Sequence, residues 1–165
     1  MFRGLLLICL VILFRQVDAQ ETDRYKLPAF VAVVVEQEDQ ILLLKRENTG
    51  WMDGFWGMPG GGLNPNETIA EAAARETYEE VGILVNPEDL ELIHVLHVRR
   101  GGNKDVLGFM FIAHAWKGIA ENREPHYCSE VQWFNIHSLP SKIIPQTLEA
   151  FKQAKAGSVY SAPKS

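Results

Sequence analysis

The chain has 165 residues, 47% of them hydrophobic, with 16 Lys+Arg against 21 Asp+Glu for a formal net charge of −5. That length holds one domain with a single core, and the apolar share excludes disorder, collagen and coiled coil as whole-chain readings. The negative balance argues against a broad electrostatic grip on a nucleic-acid backbone. It leaves room for phosphates approached through a divalent cation.

In chain order, residues 1–19 come first and read as a signal-peptide-like leader. Arg3 gives a positive start, Gly4 to Phe14 is an uninterrupted apolar run, and Val17 and Ala19 stand before Gln20 as in a cleavage site. The run is too short for a stable membrane span, which needs about 20 residues. If the leader is cleaved after Ala19 the protein is exported, periplasmic or secreted. If the start is mis-set it is cytoplasmic, a reading weakened because no second Met precedes Met52. Without the leader Cys128 stands alone, so no internal disulfide framework is expected and a buried, inert thiol is.

Leu27 to Glu36 and Ile41 to Lys45 are apolar runs around a polar turn and predict a β-hairpin. Asn48 to Gly62 is loop-like, rich in glycine, with Pro59 and the aromatics Trp51, Phe55 and Trp56. A helix is predicted from near Glu67, capped by Asn66 and stopped by Gly82. Leu90 to Val98 and Val106 to Trp116 predict long strands, and Glu130 to Ile136 a shorter one. Pro145 opens a last helix running to about Ala156. Residues 157–165 read as a flexible tail. Strands on both sides of a central helix, with a helix at the end, predict an α/β fold with a mixed sheet flanked by helices.

The chemistry concentrates in Gly61 to Ile83, GGLNPNETIAEAAARETYEEVGI. Glu76, Glu79 and Glu80 are related as i, i+3 and i+4, so a helix gathers their carboxylates on one face. Like charges at that spacing repel. A divalent cation with hard-oxygen preference, Mg²⁺ or Mn²⁺, would remove the conflict. Arg75, eight residues after Glu67 and four before Glu79, can tie a carboxylate to the preceding loop. On helix logic alone a solvated acidic face is the equal alternative.

The spacing separates the two. The segment resembles the Nudix box, G-x5-E-x7-R-E-U-x-E-E-x-G-U with U a bulky aliphatic. Gly61, Glu67, Arg75, Glu76, Glu79, Glu80, Gly82 and Ile83 all fall in place. From average residue usage, a chance match at a given start is roughly one in 10⁸. Thr77 stands at the first U position, where it should pack inward. Arg46, the run from Gly57 to Gly62, and Glu130-Val-Gln-Trp-Phe extend the likeness, which spans roughly residues 27 to 153; the domain itself is placed at 27–156.

The resemblance implies the Nudix fold, an α/β/α sandwich whose loop–helix–loop box binds divalent metal, Mg²⁺ or Mn²⁺. It implies a pyrophosphohydrolase that cleaves a nucleoside diphosphate linked to another moiety X by water attack on phosphorus. It assigns Glu76, Glu79 and Glu80 as metal ligands, and Glu67 and Arg75 as holding the loop and positioning metal or water, with Gly61 and Gly82 organising it. The general base varies in the family; Glu130 and Glu124 are the candidates here. Arg46 is a candidate phosphate contact, with a solvated strand end as its alternative. Trp51 could stack on a base, though packing is the commoner role for such an aromatic. His97, sharing a strand face with Arg99, could reach substrate, though an ordinary surface position is the default.

No HExxH, Walker loop or Gly-x-Ser-x-Gly elbow is present. The markers of the ADP-ribose, diadenosine polyphosphate, NADH and coenzyme A subgroups are absent. The default substrate is therefore a nucleoside triphosphate, oxidised forms included. A nucleotide-sugar or dinucleotide pyrophosphatase and a non-catalytic nucleotide-sensing domain are the alternatives. The expected partner is a small nucleotide, not a nucleic-acid backbone. A homodimer, common in the family, is left open.

Overall fold

Alternate residues of the first strand serve two different cores. In β1 (Ala29–Gln37), Val31, Val33 and Val35 pack against one helix, while Ala32 and Val34 pack on the opposite face. Side chains alternate along a strand, so an unbroken β-branched run means burial on both faces. The computed structural model describes residues 25–102 and 104–163; the leader at 1–19 lies outside them. Among the described residues no helix is long and apolar enough to cross a membrane.

β1 forms a hairpin with β2 (Gln40–Arg46), but the strands pair only at the turn, Glu36 with Ile41 and Gln37 with Gln40. Beyond that, β2 leaves β1 and pairs antiparallel with β3 (Trp56–Gly57) and β6 (Cys128–Asn135). The other edge of β1 pairs in parallel with β5 (Val106–Ala113), which pairs antiparallel with β4 (Leu90–Val98). The gap left by β2 is filled by the loop after β3: the Val31 and Val33 N–H groups donate to Gly61 and Pro59 carbonyls at 2.9 and 2.8 Å. That contact docks the box loop on the sheet.

Helix α1 (Ile69–Val81) covers one face through Ala72, Ala73 and Val81, and α2 (Pro145–Lys155) covers the other through Ala150 and Phe151. The mixed sheet between two helices is the expected α/β/α sandwich. Thr77 is fully buried, as its box position requires, and its hydroxyl donates to the Ala73 carbonyl at 2.7 Å. The helix starts later than Asn66 would place it. Asn66 takes a left-handed turn conformation, φ 68°, and Thr68 is the N-cap. Thr68 and Glu71 form a reciprocal capping box, satisfying two otherwise orphan N–H groups. Gly82 ends the helix at φ 72° and donates to the Tyr78 carbonyl.

β5 stops at Ala113 and not Trp116, β6 starts at Cys128, and the stretch expected as a tail contains β7 (Tyr160–Ser161), parallel to β4. Buried His94 holds this last strand. Its Nδ1 lies 2.8 Å from the Ser158 carbonyl and its Nε2 2.7 Å from Ser161 Oγ. A carbonyl only accepts, so Nδ1 carries the proton toward Ser158.

Candidate active site

Arg75 is the hub of the box. Its Nε and Nη2 grip Glu67 in a two-pronged ion pair at 3.0 and 2.7 Å, and Nη2 also donates to the Gly62 carbonyl at 3.0 Å. Its Nη1 spans Glu76 at 2.7 Å and Glu79 at 2.9 Å. The planar guanidinium suits this fork geometry. One side chain thus fastens helix α1 to the loop before it. Glu67 completes the clasp by accepting the Asn64 N–H, and Arg75 holds its carboxyl below the usual range.

The carboxylates differ in setting. Glu79 is half-exposed, at 48%, whereas Glu76 is at 15%. Burial pushes Glu76 up despite its Arg75 pair. Glu80 turns inward, and its Oε2 accepts the Gly60 N–H at 2.7 Å. Burial, with the Glu76 and Glu124 charges adding, pushes its carboxyl up to about 8, although the Gly60 hydrogen bond opposes this. A cation beside them would favour the ionised form of such buried, crowded acids.

Their hard-oxygen chemistry suits Mg²⁺ or Mn²⁺. Among the described residues no three ligating side chains already converge as a metal cage. Arg75 stands between Glu76 and Glu79 and supplies the positive charge there.

The loop needs its glycines. A Cβ on Gly60 would fall 2.0 Å from the Val31 carbonyl oxygen, and one on Gly61 would strike the Glu76 carboxylate at 2.5 Å. Backbone therefore passes between β1 and the acids where no side chain fits.

Beside this loop opens a cleft of about 330 Å³, lined in part by Arg46, Trp51, Gly60–Gly62, Arg100 and Gln146. Trp51 is 40% exposed. The Arg46 and Arg100 guanidiniums lie 5.1 and 5.6 Å from its ring centroid. Arg46 Nε also donates to the Trp51 carbonyl at 3.0 Å. Arg46 is close enough to Glu80 to favour its ionised form.

Two residues named from the sequence are not brought here. Glu130 pairs across the sheet with Lys45, and their side chains bond at 2.7 Å. Lys45 lies over Trp56, in the core under α2. Val131 beside Glu130 faces the core under α1. By alternation Glu130 points to the sheet face opposite α1. Glu124, the other candidate base, stands near enough for its charge to raise Glu76 and Glu80. His97 lies 3.3 Å from Asp105 and does not line the cleft; Val98 beside it and Arg100 in the following turn do.

Sequence reasoning also missed Arg100 and Gln146. Neither lies in a motif, and only the convergence of the β4–β5 turn with the start of α2 reveals them. Cys128 is buried and reduced; burial pushes its thiol up, and its Sγ lies 3.1 Å from the Glu130 carbonyl.

The NUDIX domain family matches residues 26–155. An 8-oxo-dGDP phosphatase of Homo sapiens is 34% identical over 118 residues, 68% of this chain and 33% of that protein. An ADP-ribose pyrophosphatase of Methanocaldococcus jannaschii is 30% identical over 132 residues, 75% of this chain and 73% of that one. The chain thus spans about a third of the length of the human relative. The crystal structure of a MutT NUDIX hydrolase from Burkholderia pseudomallei superposes with a TM-score of 0.71 at 27% identity. That superposition covers 78% of this chain and 98% of that one.

Proposed function

The chain belongs to the NUDIX domain family, and from that premise we propose that it hydrolyses a nucleoside diphosphate linked to a further group, by water attack on phosphorus. The default substrate is a nucleoside triphosphate or diphosphate, oxidised bases included. The observation that carries the reading is the complete box set. Glu67, Glu76 and Glu79 sit around Arg75, and Glu80 is bonded to the Gly60 loop beside a cleft holding two arginines.

Glu76, Glu79 and Glu80 would hold Mg²⁺ or Mn²⁺, which when bound neutralises the diphosphate and makes its water a better nucleophile. Arg75 and Glu67 keep the loop and helix in register, so the acids meet the substrate already placed. Arg46 contacts a phosphate and Trp51 offers the base an aromatic surface. Glu124 takes the role of general base, because its charge reaches Glu76 and Glu80 whereas Glu130 is paired with Lys45. The name of the human relative supports an oxidised-nucleotide substrate. The second reading, a nucleotide-sugar or dinucleotide substrate, is supported by the archaeal relative's name.

The test is a panel of nucleoside triphosphates, oxidised nucleotides, dinucleotides and nucleotide sugars with Mg²⁺ or Mn²⁺, read by chromatographic separation of the two cleavage products. Glu79→Gln/Glu80→Gln should keep its melting cooperativity and lose at least about 100-fold in kcat, the scale of removing groups that act on the transition state. A panel with no diphosphate cleavage, or an unchanged rate in the double variant, overturns the reading. Nucleotide binding without cleavage would point to a sensing domain.

A further inference from the structure

We propose that Gln146 is a specificity-determining residue whose amide reads the hydrogen-bonding edge of the substrate's heterocycle inside the cleft. The inference rests on the nucleotide reading above and deepens it.

The starting point is an orphan. Gln146 Oε1 is buried and has no hydrogen-bond partner within the protein, and its residue lines the cleft beside Gly60–Gly62. Buried acceptors are almost always satisfied, and each exception calls for an explanation. The group is not loose. Gln146 is the second residue of α2, and the start of that helix is stapled to β3. The Ile144 N–H donates to the Trp56 carbonyl at 2.8 Å, and the Trp56 N–H donates to the Lys142 carbonyl at 2.7 Å. Thr147, next along, is buried. The backbone that carries the amide is therefore fixed at the cleft wall by bonds that do not depend on it.

The chemistry narrows the ligand group. A carbonyl oxygen needs a donor, and a phosphate or diphosphate at neutral pH offers acceptors almost exclusively. Gln146 thus serves a different part of the substrate from the box. A primary amide presents an acceptor beside donors. A nucleobase edge with an N–H beside a ring nitrogen or carbonyl matches that pair in two parallel bonds. Met58 and Val98 provide apolar walls, and Trp51 an aromatic rim. Planar, mostly apolar groups with a few polar edge atoms are what such a surround accepts. A sugar hydroxyl is the other donor a nucleotide carries, so the test separates base from sugar.

The full chain is titrated calorimetrically with AMP, GMP and purine riboside 5′-monophosphate in Mg²⁺. None of these has a diphosphate to cleave. The last keeps sugar and phosphate and lacks the exocyclic amino group and ring N–H. Wild type should bind AMP or GMP roughly tenfold or more tighter than the amino-less nucleotide, the cost of an unmet buried acceptor. Gln146→Leu should bring that ratio close to one. Without ligand, the same variant should melt at or above the wild-type temperature, because it removes the orphan. A merely structural glutamine would lower it.

An unchanged ratio, equal weakening for all three nucleotides (a sugar contact), a lowered melting temperature, or no binding by wild type each overturns the proposal. The hydrolase reading is judged separately by the cleavage products, so cleavage with no preference among bases would defeat the role of Gln146 alone.

Discussion

The two helices that sandwich the sheet obey opposite rules. α2 follows the helix dipole: Lys152 and Lys155 stand in its last turn, where the carbonyl ends are negative. α1 contradicts it. Its last turn has no basic residue and carries Glu79 and Glu80. At its start the contrast reverses, since α1 has a full capping box while α2 begins at Pro145 with no side-chain cap. α1 is therefore firmly anchored where it can be and electrostatically strained where its acids gather. Part of that strain is met from outside. Arg123, from the loop before β6, donates to the Tyr78 carbonyl and lies 4.3 Å from the Tyr78 ring centroid. Broken local rules in an otherwise consistent sequence mark the place where function outweighs stability.

The comparison can be broken most severely at the loop under α1. Gly60→Ala forces a Cβ into the β1 backbone and should cost about 3 kcal/mol or more. Denaturant melts would check this. A loss under 1 kcal/mol would mean that the loop yields and does not anchor the acids.

The strain itself should show as a pH dependence. The folded Glu80 carboxyl is raised to about 8, above its ordinary value of 4.5. Its contribution is thus complete below about 4.5 and is lost as pH rises through 8. Melts in EDTA from pH 5 to 9 should show wild type losing stability, by an amount on the order of a few kcal/mol. Glu80→Gln should remove most of that slope, and divalent metal should offset it in wild type. Parallel pH curves for the two proteins would show that Glu80 is not held in this way.

Thr68→Ala tests the well-made end of α1 and should cost about 1 kcal/mol by calorimetry. Lys152→Gln tests the rule α2 follows, and a loss of about 0.3–1 kcal/mol at low salt, fading in high salt, is expected. A salt-independent loss would assign Lys152 a packing role instead.

How much of this could be read beforehand varies by residue. The Nudix box was legible because its letters act over short range, within one loop and one helix. The Thr68-x-x-Glu71 spacing is also a local pattern, and the structure selects it over the Asn66 cap. The placements of Glu130 and His97 are not legible in the sequence, for a shared reason. Alternation shows which strand residues share a face, but both faces of this sheet are buried. The pattern therefore does not say which face looks toward α1 or the cleft. The strand over residues 160–161 was missed because two residues carry no periodicity. Its anchor, His94, lies more than sixty positions away.

The sequence by itself determined the family, the α/β architecture, the core strands and the acids on one helical face. These follow from spacing, period and turn residues, all local in the chain. Tertiary structure alone decided the rest. It set Arg75 among three of the acids, turned Glu80 inward to Gly60, paired Glu130 with Lys45, and brought Arg100 and Gln146 to one cleft. The reason is that burial and mutual charge are properties of neighbours in space. The opening balance of −5 does not say whether acids stand apart in water or crowd together; here five of them lie between residues 67 and 80, three of them around a single arginine.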